Sequence, residues 1–416
     1  MSCVRQENIV IIGGGLAGLT AARKLVESKT DFTLLEATDS IGGKLKTDNV
    51  DGFLLDHGFQ IFLSAYPEAK KWLDLDKLNL NSFSSGARLL FGDGTQETIA
   101  DPLRHPAYLF QTLFAKSSSF RDKLGILTLK SKLKNKSVDD IFNQDQIPTI
   151  DALKNKYGFS DKVIDLFFKP FFSGIFFENE LETSRLMFDF IFKMFAEGDA
   201  CLPANGMGQI PKLLSEPINP GRIWCNCKVQ AIDQGKVILE DGSYISAEKI
   251  IVATPSMTSI KGLNLPKAKY LPCKQMYFVC KHPPSLDKFI ALNTSKNKLF
   301  NNCCVMNNIS PNYAPKGNYL VSVSLNESIY PPIELEKQVK NELSLWFGKV
   351  VGTWECIDQR DIFHALPNQK NVNNQLSQES FKLTDTTYIC GDYMYNGSIN
   401  GAMKVGGDVV DVILKN

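Results

Sequence analysis

Asn8-Ile9-Val10-Ile11-Ile12 runs without a break into Gly13-Gly14-Gly15-Leu16-Ala17-Gly18, and Phe32-Thr33-Leu34-Leu35 then ends on Glu36. The order reads as buried strand, glycine-rich turn, helix from Leu16 to about Ser28, second strand, acid. Each part has a physical task. Gly13 permits the tight turn, and Gly15 lets backbone N–H groups close on a pyrophosphate at the helix start, with Leu16 and Ala17 among the expected contacts. Gly18 lets helix and strand pack closely. Glu36, followed by Ala37, stands 18 residues after Gly18, where it can accept from a ribose hydroxyl pair. A glycine pattern alone is weak, but with its flanking strand, helix and acid it predicts a dinucleotide cofactor.

After Glu36 the chain reads Ala37-Thr38-Asp39-Ser40-Ile41-Gly42-Gly43-Lys44, where a nicotinamide enzyme would normally proceed to its next helix. A second glycine pair so soon brings more backbone against the same ligand, as a long extended FAD requires. The run resembles the glycine-pair motif of the FAD-dependent amine oxidase superfamily, which includes monoamine and polyamine oxidases, protoporphyrinogen oxidase, phytoene desaturases and carotenoid isomerases. That family usually carries Arg where this chain has Ser40 and again at Lys44. Lys44 still offers phosphate a point charge, without the bidentate fork of Arg.

Two later segments extend the resemblance. Residues 228–255 read as a meander of short strands around Asp241-Gly242, ending in the apolar Ile250-Ile251-Val252-Ala253-Thr254-Pro255. In the family the residue at Val229 pairs its backbone with adenine, and the strand end at Thr254 passes close to the cofactor. Tyr388-Ile389-Cys390-Gly391-Asp392 reads as a buried strand feeding a glycine-rich helix start that contains Gly397-Ser398-Ile399-Asn400-Gly401-Ala402. The resemblance implies that Gly391 and Asp392 meet the ribityl or pyrophosphate part. It also implies that Ser398, Ile399 and Ala402 bring a positive helix end to the flavin, where it favours negative charge on the reduced ring.

At 416 residues the chain can bury a large core and is expected to hold two domains. A net charge of +1 gives no whole-protein attraction to nucleic acid. The ten cysteines and four scattered histidines show no metal-ligand spacing, so no metal is expected, and cysteines at this density read as reduced rather than as a disulfide framework. Met1 to Glu7 is polar, which predicts no secretory leader, and no apolar run reaches the roughly 20 residues of a membrane span. The expected location is cytoplasmic, or peripheral on a membrane.

The cofactor-binding pieces fall at 1–75, 200–260 and 375–416, leaving 76–199 and 261–374 to build a substrate-binding domain. The fold implied is α/β: a Rossmann-like FAD-binding domain of the glutathione-reductase type with an inserted α+β substrate domain. Helical patterns appear at 107–114, 120–133, 149–153, 161–172 and 333–347, and strand alternation at 270–281 and 317–325.

The substrate clues are aromatic, with 27 Phe against 12 Tyr and 4 Trp. Each Phe taken singly is better read as core, but together around a flavin they favour an apolar pocket. Asp56-His57-Gly58-Phe59-Gln60 and Leu202-Pro203-Ala204-Asn205-Gly206-Met207 place the chain nearer the desaturase and protoporphyrinogen-oxidase branch than the true amine oxidases. Two residues are catalytic candidates. Lys274 stands about where amine oxidases hold a water against the flavin, against the plain reading of a solvated strand-end lysine. His57 lies beside an acid near the expected flavin, and a structural hydrogen bond explains it equally well.

The combined expectation is an oxidoreductase with noncovalent FAD, since Cys390 sits in an apolar strand as a small hydrophobe. It removes hydride from, or isomerises, an apolar small molecule such as a polyene or other isoprenoid, with oxygen or quinone as electron acceptor and no nucleic-acid partner. Oxidation of a carbon next to nitrogen, or a flavin-binding carrier without chemistry, remain the alternatives. Residues 105–133 alternate apolar groups (Tyr108, Leu109, Phe110, Leu113, Phe114, Phe120, Leu124, Ile126, Leu127) with cations (Lys116, Arg121, Lys123, Lys130, Lys132). That pattern suits a peripheral membrane face as well as it suits an ordinary amphipathic helix.

Overall fold

A computed structural model describes residues 3–100, 117–256, 258–325 and 332–415. Strand β1 (Cys3–Ile12) carries the opening apolar run, and Ile9 to Ile12 are all at most 4% exposed. Burial on both faces is what a parallel strand covered by helices requires. β1 pairs in parallel with β2 (Phe32–Leu35) on one side and with Tyr244–Val252 on the other. Ile223–Trp224 extends the sheet beyond β2, and Thr387–Ile389 lies parallel to the end of Tyr244–Val252. The start of Tyr244–Val252 pairs instead with an antiparallel hairpin of Val229–Asp233 and Lys236–Leu239. Seven strands from three distant stretches of chain thus meet in one sheet. Helix α1 (Leu16–Glu27) packs along the final helix Ile399–Lys415, where Lys24 Nζ donates to Gly407 O at 3.0 Å and pairs with Asp411.

A second seven-stranded sheet runs in the order Glu355–Pro367, Tyr270–Cys280, Tyr319–Leu325, Phe300–Val305, Ile290–Asn293, Gly86–Leu90, Gln96–Ala100. Leu335, Val339, Leu343 and Trp346 of Pro332–Phe347 recur at helical spacing and bury one stripe against this sheet. Helical segments between 120 and 197 form an aromatic layer in which Phe172 meets Phe188 at 4.7 Å and Phe159 meets Phe168 at 4.8 Å between ring centroids. Inside that layer Arg185 pairs with Asp189 at 2.8 Å, each side chain 1% exposed. Tyr157 Oη donates to the same carboxylate at 2.5 Å. Phe62–Leu63, Asn81–Ser82 and Ala200–Leu202 make a small third sheet. The helix expected at 107–114, with Tyr108 to Phe114 and Lys116, lies outside the described residues. Among the described residues no helix is long and apolar enough to cross a membrane.

Candidate cofactor and substrate site

One continuous cavity of about 1270 Å³ runs from the glycine-rich turn to the aromatic layer. At its first end α1 begins on Gly15 with no side-chain cap and no acid in its first turn. Gly15, Leu16 and Ala17 line the cavity, so the unpaired amides and the positive end of the helix dipole face whatever binds there. Gly18 does not line the cavity; a Cβ on it would stand 2.0 Å from Gly13 O. Its place is to let α1 lie against the turn. Gly42 N–H donates to Gly14 O at 2.8 Å, and Gly43, at φ 59°, approaches until a Cβ would reach 3.0 Å from Gly15 Cα. The second glycine pair is therefore laid directly on the first.

Glu36, 9% exposed, accepts from Gly14 N–H at 2.8 Å through Oε2, and from Thr38 N–H at 2.9 Å and Thr38 Oγ1 at 2.7 Å through Oε1. It organises the turn and also lines the cavity, as do Gly13, Ala37, Val229 and Thr254. Thr254 Oγ1 is buried with no hydrogen-bond partner. Farther along stand Lys44 and Asp392, paired at 2.7 Å with the ammonium 4.7 Å from the Tyr270 ring, and then Gly391, Ser398, Ile399 and Ala402. An uncapped helix start, a glycine cradle that side chains would fill and an orphaned hydroxyl fit a long phosphate-bearing cofactor.

The other end is apolar. Phe59, Phe83, Phe167, Phe171, Phe192 and Phe195 line it, and Phe120, Leu124 and Leu127, 70%, 49% and 44% exposed, stand at its mouth on the helix Phe120–Lys134. Every carboxylate among the described lining residues is engaged: Glu36 by Gly14 and Thr38, Asp392 by Lys44, Asp358 by Arg360 at 2.5 Å, and Asp361 by Lys274 at 2.5 Å. Asp392, Asp358 and Asp361 are thus each paired with a cation, and Glu36, at the glycine-turn end, is bonded by neutral donors of its own turn.

The two catalytic candidates take different positions. His57 lines the cavity, with Nε2 2.9 Å from Asp48 Oδ2, and Asp48 also binds Arg360 at 3.1 Å. Lys274 is buried but does not line the cavity; strand alternation turns its neighbour Cys273 inward instead. Lys274 reaches the wall only through Asp361, its cross-strand partner. Burial pushes the Cys273 thiol up to about 12, and that of Cys390 likewise to about 12, so both are neutral and poor nucleophiles.

The two motifs quoted around His57 and Met207 meet in space. Met207 N–H donates to Asp56 Oδ1 at 2.9 Å, and Gly208 N–H donates to Thr47 Oγ1 at 2.9 Å. Sequence reasoning did not single out Gln60, Cys273, Arg360 or Gln369 as lining residues. Cys273 was within reach through the alternation of its strand. Gln369 lies in a polar loop with no periodic signal.

Fold and cavity together define a mixed α/β protein built around an extended dinucleotide cofactor. The chain belongs to the flavin containing amine oxidoreductase family, whose model matches residues 16–414, and its cofactor is a flavin. It is 26% identical over 200 residues to coproporphyrinogen III oxidase of Bacillus subtilis, covering 44% of this chain and 40% of that one. It is 32% identical over 106 residues to carotenoid 3,4-desaturase of Haloarcula japonica, covering 23% and 20%. The chain thus matches less than half the length of these relatives. A solved structure of a putrescine oxidase double mutant superposes over 98% of this chain and 99% of its own with a TM-score of 0.72 at 15% identity, a likeness of fold.

Proposed function

We propose that the protein is an FAD-dependent oxidoreductase that removes hydride from, or isomerises, an apolar small molecule of the polyene or isoprenoid class. The observation that carries this reading is the continuity of the glycine cradle with a phenylalanine-walled chamber whose carboxylates are all engaged. Relatives named for carotenoid and porphyrinogen chemistry support it. Amine oxidation, which the putrescine oxidase likeness brings to mind, would need an anion for an ammonium group, and the described lining carboxylates are already bonded within the protein. The division into a cofactor domain (1–75, 200–260, 375–416) of glutathione-reductase type and a substrate domain (76–199, 261–374) is part of the same proposal, supported by the two seven-stranded sheets, each drawn from one set of segments, while the small third sheet joins the two sets.

FAD, when bound, supplies a two-electron acceptor. The chain's own residues bind, orient and exclude water. Gly15 to Ala17 would hold the pyrophosphate through backbone amides, Glu36 would accept from the ribose, Val229 would meet the adenine and Thr254 would lie close to the cofactor. Gly391 and Asp392, the latter held by Lys44, would meet the ribityl or pyrophosphate part, and Ser398, Ile399 and Ala402 would bring the helix start to the ring. The Phe wall keeps water from the reacting carbon and grips a chain that has no polar handle. The described lining cysteines, Cys227 and Cys273, have thiols raised by burial and so kept neutral, and Cys390 does not reach the cavity, which leaves the cofactor noncovalent.

The exposed row Phe120, Leu124 and Leu127 at the mouth, on a helix that also carries Arg121, Lys123, Lys130 and Lys132, supports peripheral contact with a bilayer from which such a substrate would be drawn. The acceptor for the electrons is oxygen or a quinone. Photoreduction of the holoprotein followed by each acceptor separates the cases: fast reoxidation by oxygen marks an oxidase, and preference for quinone a desaturase. Inertness to both would remove the enzymatic reading in favour of a carrier.

A further inference from the structure

Two glutamine side chains on the cavity wall carry hydrogen-bonding atoms that nothing in the protein satisfies. Gln369 is 3% exposed, its Oε1 accepts from Gly397 N–H at 2.7 Å, and its Nε2 is buried without a partner. Gln60 Nε2 donates to Lys44 O at 3.2 Å, and its Oε1 is likewise buried and unpartnered. Neither amide can be turned round. Gly397 N–H is a donor and requires the oxygen of Gln369; Lys44 O is an acceptor and requires the nitrogen of Gln60. The wall therefore presents one fixed donor and one fixed acceptor, and leaving either unmet in a buried site is costly.

The place of the two along the cavity says what meets them. A dinucleotide with its pyrophosphate at Gly15 and its ribose at Glu36 extends away from Glu36 past Gly43 and the Lys44–Asp392 pair. Gln60 is bonded to Lys44, beside the Lys44–Asp392 pair, and Gln369 to the residue before Ser398, at the far end of that path where the redox ring arrives. A polyene carries neither acceptor nor donor. An isoalloxazine carries both, because its pyrimidine edge alternates carbonyl oxygens with an N–H.

We propose that Gln369 is a cofactor-positioning residue that donates through Nε2 to a carbonyl of the flavin pyrimidine edge, and that Gln60 Oε1 accepts from a donor of the same cofactor. The assignment rests on the apolar-substrate reading, which leaves the flavin as the partner. Gln369 has a second connection: its backbone O accepts from Ser184 N–H at 2.9 Å, and Ser184 caps the helix Arg185–Glu197, which lines the apolar chamber with Met187, Ile191 and Phe192. One residue thereby fixes the ring against both the last helix and the substrate wall.

The test uses Gln369→Glu, which keeps the acceptor for Gly397 N–H and replaces the donor with a carboxylate facing the ring. Substrate-free apoprotein is titrated with FAD, and the two-electron midpoint potential of the reconstituted protein is measured. The expected result is about tenfold weaker FAD binding, the loss of one buried hydrogen bond, together with a potential moved to more negative values by the added anion. Gln369→Leu should weaken binding without that shift of potential, which separates the donor's loss from the charge. Thermal melting of each apoprotein checks that the fold is retained. FAD affinity and potential both within twofold and a few millivolts of the parent, in folded Gln369→Glu protein, would overturn the proposal. No substrate is present, so an error about the substrate class alters neither reading and is exposed only by turnover experiments.

Discussion

Glu36 does two jobs with one carboxylate. It closes the glycine turn through Gly14 and Thr38 and leaves lone pairs toward the cavity. Glu36→Ala should weaken FAD binding by about 1–3 kcal/mol, read by fluorescence titration, because the ribose hydroxyls and the Gly14 amide both lose their acceptor. Lys274, the candidate taken over from the amine oxidases, is paired with Asp361 behind the cavity wall. Lys274→Met should therefore change neither flavin reduction nor its reoxidation by oxygen by more than a few-fold in stopped-flow mixing; a large fall in the oxidative step alone would restore the amine-oxidase role. Asp56 gives a pH signature. Burial raises its carboxyl above the ordinary value, against donation from Thr47, Tyr313 and Met207. The folded state thus favours the protonated acid, and that contribution is complete below the unfolded value and is lost as pH rises through the raised one. Asp56→Asn should gain stability relative to the parent as pH climbs from about 4 to 7, measured by urea melts at each pH. Melting curves that stay parallel across that range would show that Asp56 does not titrate as its burial implies. The sequence marked Glu36, Gly42 and Asp392 because glycine and acid spacings are local. It carried Gln60 only as the end of a motif and left out Gln369, because their meaning comes from bonds to Lys44 and Gly397 that form only in the fold.

At the scale of elements, legibility followed exposure. The helices Phe120–Lys134 and Pro332–Phe347 show their periods because each buries one stripe, whereas the strand Tyr270–Cys280, buried on both faces from Cys273 to Phe278, shows itself by its alternation of residue types rather than of exposure. Phe300–Val305 is buried at every position and includes Asn301 and Asn302, so no alternation survives. Glu355–Pro367 is the reverse, a long strand rich in charge and half exposed, held in place by its pairing with Tyr270–Cys280. The helix Arg185–Glu197 is fixed by the buried Arg185–Asp189 pair. Arg185→Met should cost about 3–5 kcal/mol by leaving Asp189 uncompensated, and adding Asp189→Leu should recover much of that loss in a double-mutant cycle. The helix Phe120–Lys134 has its own test, sedimentation with anionic liposomes at low and high salt. The account expects binding that weakens with salt, each cation near the surface contributing about 1 kcal/mol. Protein that stays in the supernatant under both conditions has no membrane face there.

For the whole molecule, three distant stretches read from the sequence as cofactor-binding, the first and last by their glycine runs and the middle one by its meander of strands, and the structure joins strands of all three in one sheet. The size and shape of the substrate chamber were not legible. Phe167 and Phe171 line it while Phe168 and Phe188 are packed away in the core, and composition cannot sort one pair from the other. Purified protein should be yellow and should release intact FAD on denaturation; colour that stays with the denatured chain would contradict noncovalent binding. The central claim concerns what enters the chamber. Anaerobic holoprotein should be incubated in parallel with a detergent-dispersed isoprenoid polyene such as phytoene and with putrescine, and the organic extract and the flavin absorbance followed together. The first mixture should yield a polyene of altered unsaturation or geometry and the second an unchanged flavin; polyene recovered intact, with the flavin bleached by the amine, would refute an apolar-substrate chamber.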